Sequence, residues 1–228
     1  MFTAVALGAA LGAVLVPVSA AGAADNSVAY SGSVGLVSDY RFRGLSLTDE
    51  DVALQGSVTA SHESGFSLNV WSSSIDDFNG AGTELDFTAS YTANLSEDVS
   101  WTNGVIFYTF PGGKNTNYWE LYSSMSVSVG AGSLGAGVNY NWDQGNIGGQ
   151  DNIYLSANGS YPLADSGISL NGNIGYEDGA FGNDKVDWGV GFSTSLEGFN
   201  VGATLIGAQN AAGSNADTGV VISVFRSF

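Results

Sequence analysis

The chain has 228 residues, with 22 acidic and five basic side chains, a formal net charge of −17, 33 glycines and no cysteine. That balance excludes a nucleic-acid footprint, which needs a basic face, and a polybasic lipid anchor; without thiols there is no disulfide framework and no thiolate metal site. Aromatics at 12% exclude disorder, and charged residues at 12%, against roughly 25% in soluble domains, argue against an ordinary water-exposed surface.

Taken in chain order, the first element is a leader. Met1 to Ala24 are small and apolar, the run from Ala4 to Val16 has the length of a signal h-region, and Ala21-Gly22-Ala23-Ala24 offers small residues for cleavage before Asp25. One departure is an n-region without Lys or Arg. The expected division is a signal peptide over 1–24, implying export, and a single domain over 25–228. Outside the leader no apolar run reaches the ~20 residues of a spanning helix.

From Ser27 onward apolar and polar residues alternate almost without a break, which is the period of strands with two different faces. A first strand is predicted over 27–43, with Val28, Tyr30, Val34, Leu36, Tyr40 and Phe42 on one face and Ser31, Ser33, Asp39, Arg41 and Arg43 on the other. Strands near 51–62 and 66–75 follow. The fourth sets Leu85, Phe87, Ala89 and Tyr91 against Glu84, Asp86, Thr88 and Ser90, and the fifth gathers Val99, Trp101, Val105 and Phe107 on one face. In the sixth, Trp119, Leu121, Met125 and Val127 oppose Tyr118, Glu120, Tyr122 and Ser124. After strands near 133–143, 152–161 and 168–177, the tenth sets Val186, Trp188, Val190 and Phe192 against Asp187, Gly189, Gly191 and Ser193. Strands near 199–207 and 218–228 bring the count to about twelve.

Such strands are long enough to cross a bilayer at a tilt, which takes ~9–11 residues. Aromatics on the apolar face, among them Tyr40, Phe42, Tyr91, Trp101, Trp119, Trp142, Tyr161 and Trp188, gather near strand ends, as the girdles of a membrane barrel do. The links alternate too. They are short at 63–65, 96–98, 130–132, 162–167 and 197–198, and mostly longer at 45–50, 76–82, 111–116, 144–151, 178–185 and 208–217. Short periplasmic turns and longer extracellular loops produce this pattern. The expected fold is therefore all-β: a closed antiparallel transmembrane barrel in a Gram-negative outer membrane. Its last strand ends on Phe228, an aromatic end of the kind the barrel-assembly machinery receives. That machinery, outer-membrane lipid and lipopolysaccharide are the expected partners.

The stretch Ser38-Asp39-Tyr40-Arg41-Phe42-Arg43-Gly44 resembles the start of the TorF-like porin family of proteobacteria. Further segments fit in the same order: His62-Glu63-Ser64-Gly65 with Trp71-Ser72-Ser73, Glu84-Leu85-Asp86, Tyr108-Thr109-Phe110-Pro111-Gly112 and Tyr118-Trp119-Glu120-Leu121-Tyr122. They span residues 28–125. Phe110 stands where that family usually shows Tyr, and Asn69 where it shows Gly. The resemblance implies an outer-membrane porin-like barrel and no particular solute.

By parity, Asp39, Arg41, Arg43, Glu84, Asp86 and Glu120 face the lumen. Two arginines against several carboxylates make a constriction that filters ions, or a salt-bridge cluster that holds and plugs the inner wall; the planar guanidinium fork suits both. Adding Asp51, Glu63, Asp143, Glu177 and Asp187 makes the inward charge mainly negative, so an open pore is expected to prefer cations. Inward Trp71, Tyr118, Tyr122 and Tyr154 narrow it. Carboxylates at Asp49-Glu50-Asp51, Asp76-Asp77, Asp143 with Asp151 and Asp178 with Asp184 lack the spacing of an EF-hand loop and read as solvated surface charge. His62, the one histidine, is expected to pack beside a turn, and no catalytic or cofactor motif is read. The expected function is passive diffusion of small hydrophilic solutes or ions. The alternative is a closed barrel serving structure or surface recognition through its acidic loops.

Overall fold

The computed structural model describes residues 28–211 and 214–228, so the leader predicted over 1–24 lies outside the described residues. The chain forms β1 (Val28–Val37), the short β2 (Arg41–Phe42) and β3 (Leu45–Ser46), then β4 (Ala53–His62), β5 (Phe66–Phe78) and β6 (Ala81–Asn94). There follow β7 (Val99–Thr109), β8 (Tyr118–Val129), β9 (Gly132–Asn141), β10 (Asn152–Pro162), β11 (Ile168–Gly179), β12 (Gly182–Leu196), β13 (Phe199–Gln209) and β14 (Gly219–Ser227). Twelve of these close into one antiparallel barrel in which each strand pairs with its sequence neighbours, while β2 and β3 pair only with each other.

Closure is made by β1, which pairs with β4 on one side (Val28↔His62 to Val37↔Ala53) and with β14 on the other (Ser33↔Ser227 to Val37↔Ser223). The Phe228 backbone continues that ladder, exchanging hydrogen bonds of 3.0 and 2.9 Å with Gly32. The Phe228 ring lies 2.7 Å from where a Gly32 Cβ would stand, so only glycine leaves room for it. With no free edge, every strand satisfies its backbone polar groups internally, the condition for strands to sit in lipid. The outer surface is apolar: Val34, Leu36, Leu54, Val58, Leu68, Phe87, Leu121, Phe192 and Ile222 are all exposed. Aromatic pairs mark both rims, Phe66 with Tyr91 at the short-turn end (centroids 4.9 Å) and Phe107 stacked on Trp119 at the loop end (4.3 Å).

Three expectations are corrected. The first strand stops at Val37, and residues 38–50 turn into the barrel, so Tyr40 and Phe42 belong to no lipid girdle. The links expected over 76–82 and 178–185 are tight hairpins, because β5, β6 and β12 run on for 13, 14 and 15 residues. At the first of these, Asn79 (φ 54°) and Gly80 (φ 96°) form the Asn-Gly turn that suits a two-residue hairpin. Finally, Asp51, Glu63 and Asp143, counted by parity among the inward charges, are exposed in links.

Candidate functional site: an inner hairpin across the lumen

The inward segment is a small hairpin with Arg41 opposite Ser46, Phe42 opposite Leu45, and Arg43-Gly44 as its turn. Both turn residues have positive φ, 48° and 83°. That conformation matches the twist of a two-residue hairpin but disfavours a side chain with a Cβ. At Gly44 a Cβ would stand 2.8 Å from the Cβ atoms of Ala208 and Asp187, so the turn abuts the wall at β13 and β12. The base is held by Asp39, whose carboxylate accepts from Arg41 Nε (2.5 Å), Ser46 Oγ (2.6 Å) and Thr48 Oγ1 (3.2 Å). Arg41 also reaches Glu50 (3.2 Å) and donates to the Asp217 carbonyl.

Arg43 crosses the lumen. Its Nη2 meets Glu120 of β8 at 2.7 Å and its Nη1 meets Glu177 of β11 at 2.5 Å. These strands lie opposite β1 and β4, from which the hairpin springs. Lys185 of β12 pairs with the other oxygen of Glu177. The guanidinium stacks over Tyr154 at 4.2 Å, and Glu120 also accepts from Tyr108 (3.1 Å) and Asn139 (2.7 Å). Geometry of this kind is what a guanidinium fork provides and an ammonium does not.

Apolar residues bind the hairpin on both sides. Tyr40 packs with Val37, Ala53, Ile206, Val221 and Phe225, and Phe42 joins this cluster to a second one around Tyr108, Phe110, Tyr118 and Ile147. A space of about 10 Å³, close to one water-sized sphere, remains beneath the hairpin between Asp39, Tyr40, Gln55 and Val221. The loop end of the barrel is therefore packed like a core. The short-turn end is different: half-buried Ser90, Thr92, Thr102, Ser124, Asn158, Asn171 and Ser193 line it with hydroxyls and amides and no charge.

Of the residues named from sequence, Asp39, Arg41 and Arg43 lie on the hairpin rather than on the wall, while Glu84 and Asp86 of β6 and Glu120 of β8 lie on the wall; all six are buried. The structure adds Lys185, Tyr108, Asn139 and Asn152 to the charged cluster. Lys185 was placed in a link, although it shares parity with Asp187 and so could have been found. His62 packs at the β4–β5 turn, its Nδ1 2.7 Å from Ser64 Oγ and accepting from the Ser64 N–H at 3.2 Å.

A closed twelve-stranded barrel, apolar outside and polar within, has the architecture of outer-membrane porins and channels. By a match over residues 20–224, the chain belongs to the family described as "Bacterial protein of unknown function (Gcw_chp)". Among solved structures it is similar to KdgM porin, at 12% identity over 87% of this chain and 99% of that one, with a TM-score of 0.64. It is also similar to NanC porin (10% identity, 87% and 98%, TM-score 0.53). An outer membrane channel from Pseudomonas putida F1 is a further match (14% identity, 93% and 100%, TM-score 0.52). A search of curated proteins by sequence returns no match.

Proposed function

We propose that this protein is a porin-like channel of the outer membrane that passes small hydrophilic solutes or ions, prefers cations, and has its passage set by the inner hairpin. The observation that carries the reading is the Arg43 bridge, which ties a segment rooted in one wall to two carboxylates on the other. The resemblance of residues 28–125 to TorF-like porins supports the same reading.

The balance of buried charges supports a cation preference. Arg41, Arg43 and Lys185 face Asp39, Glu84, Asp86, Glu120, Glu177 and Asp187, and all three cations are already paired. The residual negative potential is focused by low-dielectric walls. KdgM porin has been solved in complex with oligogalacturonate, a polyanion; a lumen with twice as many carboxylates as cations repels such a solute. The test is single-channel conductance in a planar bilayer with a salt gradient. Stable steps with a cation reversal potential are expected, and anion preference would sink the assignment.

The packed loop end favours a second reading, a closed barrel acting through its surface loops. A folded barrel that gives no conductance steps would establish it over the channel.

A further inference from the structure

Glu84 and Asp86 stand apart from the other carboxylates inside the barrel. Asp39 accepts from Arg41, Ser46 and Thr48, Glu120 from Arg43, Tyr108 and Asn139, Glu177 from Arg43 and Asn152, and Asp187 from Tyr154. Among the described residues, Glu84 Oε2 and Asp86 Oδ1 have no hydrogen-bond partner and neither side chain is ion-paired, whereas Glu177 and Asp187, each with one oxygen likewise lacking a hydrogen bond, are held through the other oxygen. Yet they are 1% and 8% exposed, and they occupy alternate positions on the inner face of β6. Tyr40 approaches from a different element. Its phenol is 2% exposed and faces both carboxylates, its hydroxyl directed at Glu84 without a hydrogen bond of regular geometry.

Two neighbouring carboxylates held out of water are neutralised either by protons or by a counter-charge. The far wall receives one from Arg43 and Lys185, and this wall receives none from the protein. We propose that Glu84, Asp86 and Tyr40 form a binding site for a hard divalent cation of calcium's kind, between the inner hairpin and β6. The donors are all oxygen, with two anionic groups and no nitrogen or sulfur, the set that selects such ions. Calcium tolerates irregular geometry, which suits carboxylates fixed two residues apart on one strand, whereas magnesium demands a near-ideal octahedron. The ion would tie the hairpin to β6 as Arg43 ties it to β8 and β11. The site thus deepens the channel reading, since the same hairpin sets the passage.

Terbium(III) is the probe, added to the detergent-solubilised full chain, with Tyr40 and Trp71 (ring centroids 5.3 Å apart) as sensitisers. The expected result is sensitised emission that saturates at one ion per barrel and is displaced by Ca²⁺. A Glu84→Gln/Asp86→Asn variant should bind more than ~100-fold more weakly, since even outer-shell partners of a metal are worth roughly 10–100-fold. Tyr40→Phe should weaken binding while leaving the barrel heat-modifiable, and Asp76→Asn/Asp77→Asn, in a surface turn, should leave it unchanged. Emission absent from the natural protein, or undiminished in the Glu84/Asp86 variant, overturns the site. Conductance steps without terbium binding remove the site and keep the channel; terbium binding without conductance keeps the site and removes the channel.

Discussion

Replacing Arg43 by alanine removes the ion pairs that join the inner hairpin to Glu120 and Glu177 on the opposite wall. The Arg43 side chain is 3% exposed, and those of Glu120 and Glu177 are 0% exposed. Removing one partner of a buried pair costs about 3–5 kcal/mol, because the other charge stays behind uncompensated. Glu120 keeps Tyr108 and Asn139, and Glu177 keeps Lys185 and Asn152, so the lower end applies. The loss falls on hairpin docking and not on the wall, since β2 and β3 share no ladder with the barrel. About 3 kcal/mol is roughly a hundredfold in the docked-to-undocked ratio. Alanine also keeps the unfavourable positive φ, a cost of roughly 1–2 kcal/mol that the ion pairs no longer offset. The expected result in a planar bilayer is a larger and noisier single-channel conductance, with heat-modifiable migration intact. Arg43→Lys should fall between, because an ammonium is a point charge that cannot fork to both carboxylates. A folded Arg43→Ala barrel with unchanged conductance and noise would refute the hairpin as the element that sets passage.

Charge and facing provide further tests. Lys185→Met removes one of the two cations on Glu177 and should move the reversal potential further toward the cation limit. Glu120→Gln should move it the opposite way, and shifts of the same sign in both would contradict charge selection by the lumen. Val34, in mid-strand on the outer face, should lose about 2–4 kcal/mol on substitution by Arg if it meets lipid. Its neighbour Ser33 faces inward, 2.8 Å from Ser57 Oγ, so Ser33→Arg should cost clearly less in urea unfolding from vesicles; equal penalties would overturn the facing. Gly175→Ala should dislodge Tyr154 and with it the Arg43 stack, since a Cβ there collides with Tyr154 Oη and lies 2.5 Å from Asp187 Oδ2. The assay is again conductance noise, which should rise.

The wall of the barrel was legible because its two faces meet different surroundings. In β8, Trp119 and Leu121 are exposed and Glu120 is fully buried, and a one-residue slip would reverse all of them. The same parity placed Glu84 and Asp86 inside. The lengths of the links were read less well. Asn79-Gly80 carries a strong hairpin signal, but the acidic run before it reads as loop. Treating 178–185 as a link hid Lys185, whose partner Glu177 lies on the other arm of the same hairpin.

The inner hairpin was hidden by the regularity that revealed the barrel. Asp39-Tyr40-Arg41-Phe42-Arg43 continues the alternation of β1, and a period of two does not say whether a segment pairs with its neighbours or turns away from them. Length offered one clue. Seventeen residues from 27 to 43 would extend roughly 56 Å at 3.3 Å per residue, whereas a tilted strand crosses the hydrocarbon in ~9–11 residues. The surplus had to leave the membrane or fold back, and the side chains decide between the two. Tyr40 and Phe42 need an apolar environment, and the inner wall supplies one where it breaks its own rule: Ile106, Ile206, Val221 and Phe225 point inward among hydroxyls and amides. Those exceptions on β7, β13 and β14 are the trace that the hairpin leaves elsewhere in the chain. Its charged tip leaves none, because Glu120 and Glu177 lie 77 and 134 residues from Arg43 and any inward carboxylate would have matched it equally well. Parity put Arg43 in the lumen; only the closed barrel determines that its guanidinium ends against the opposite wall.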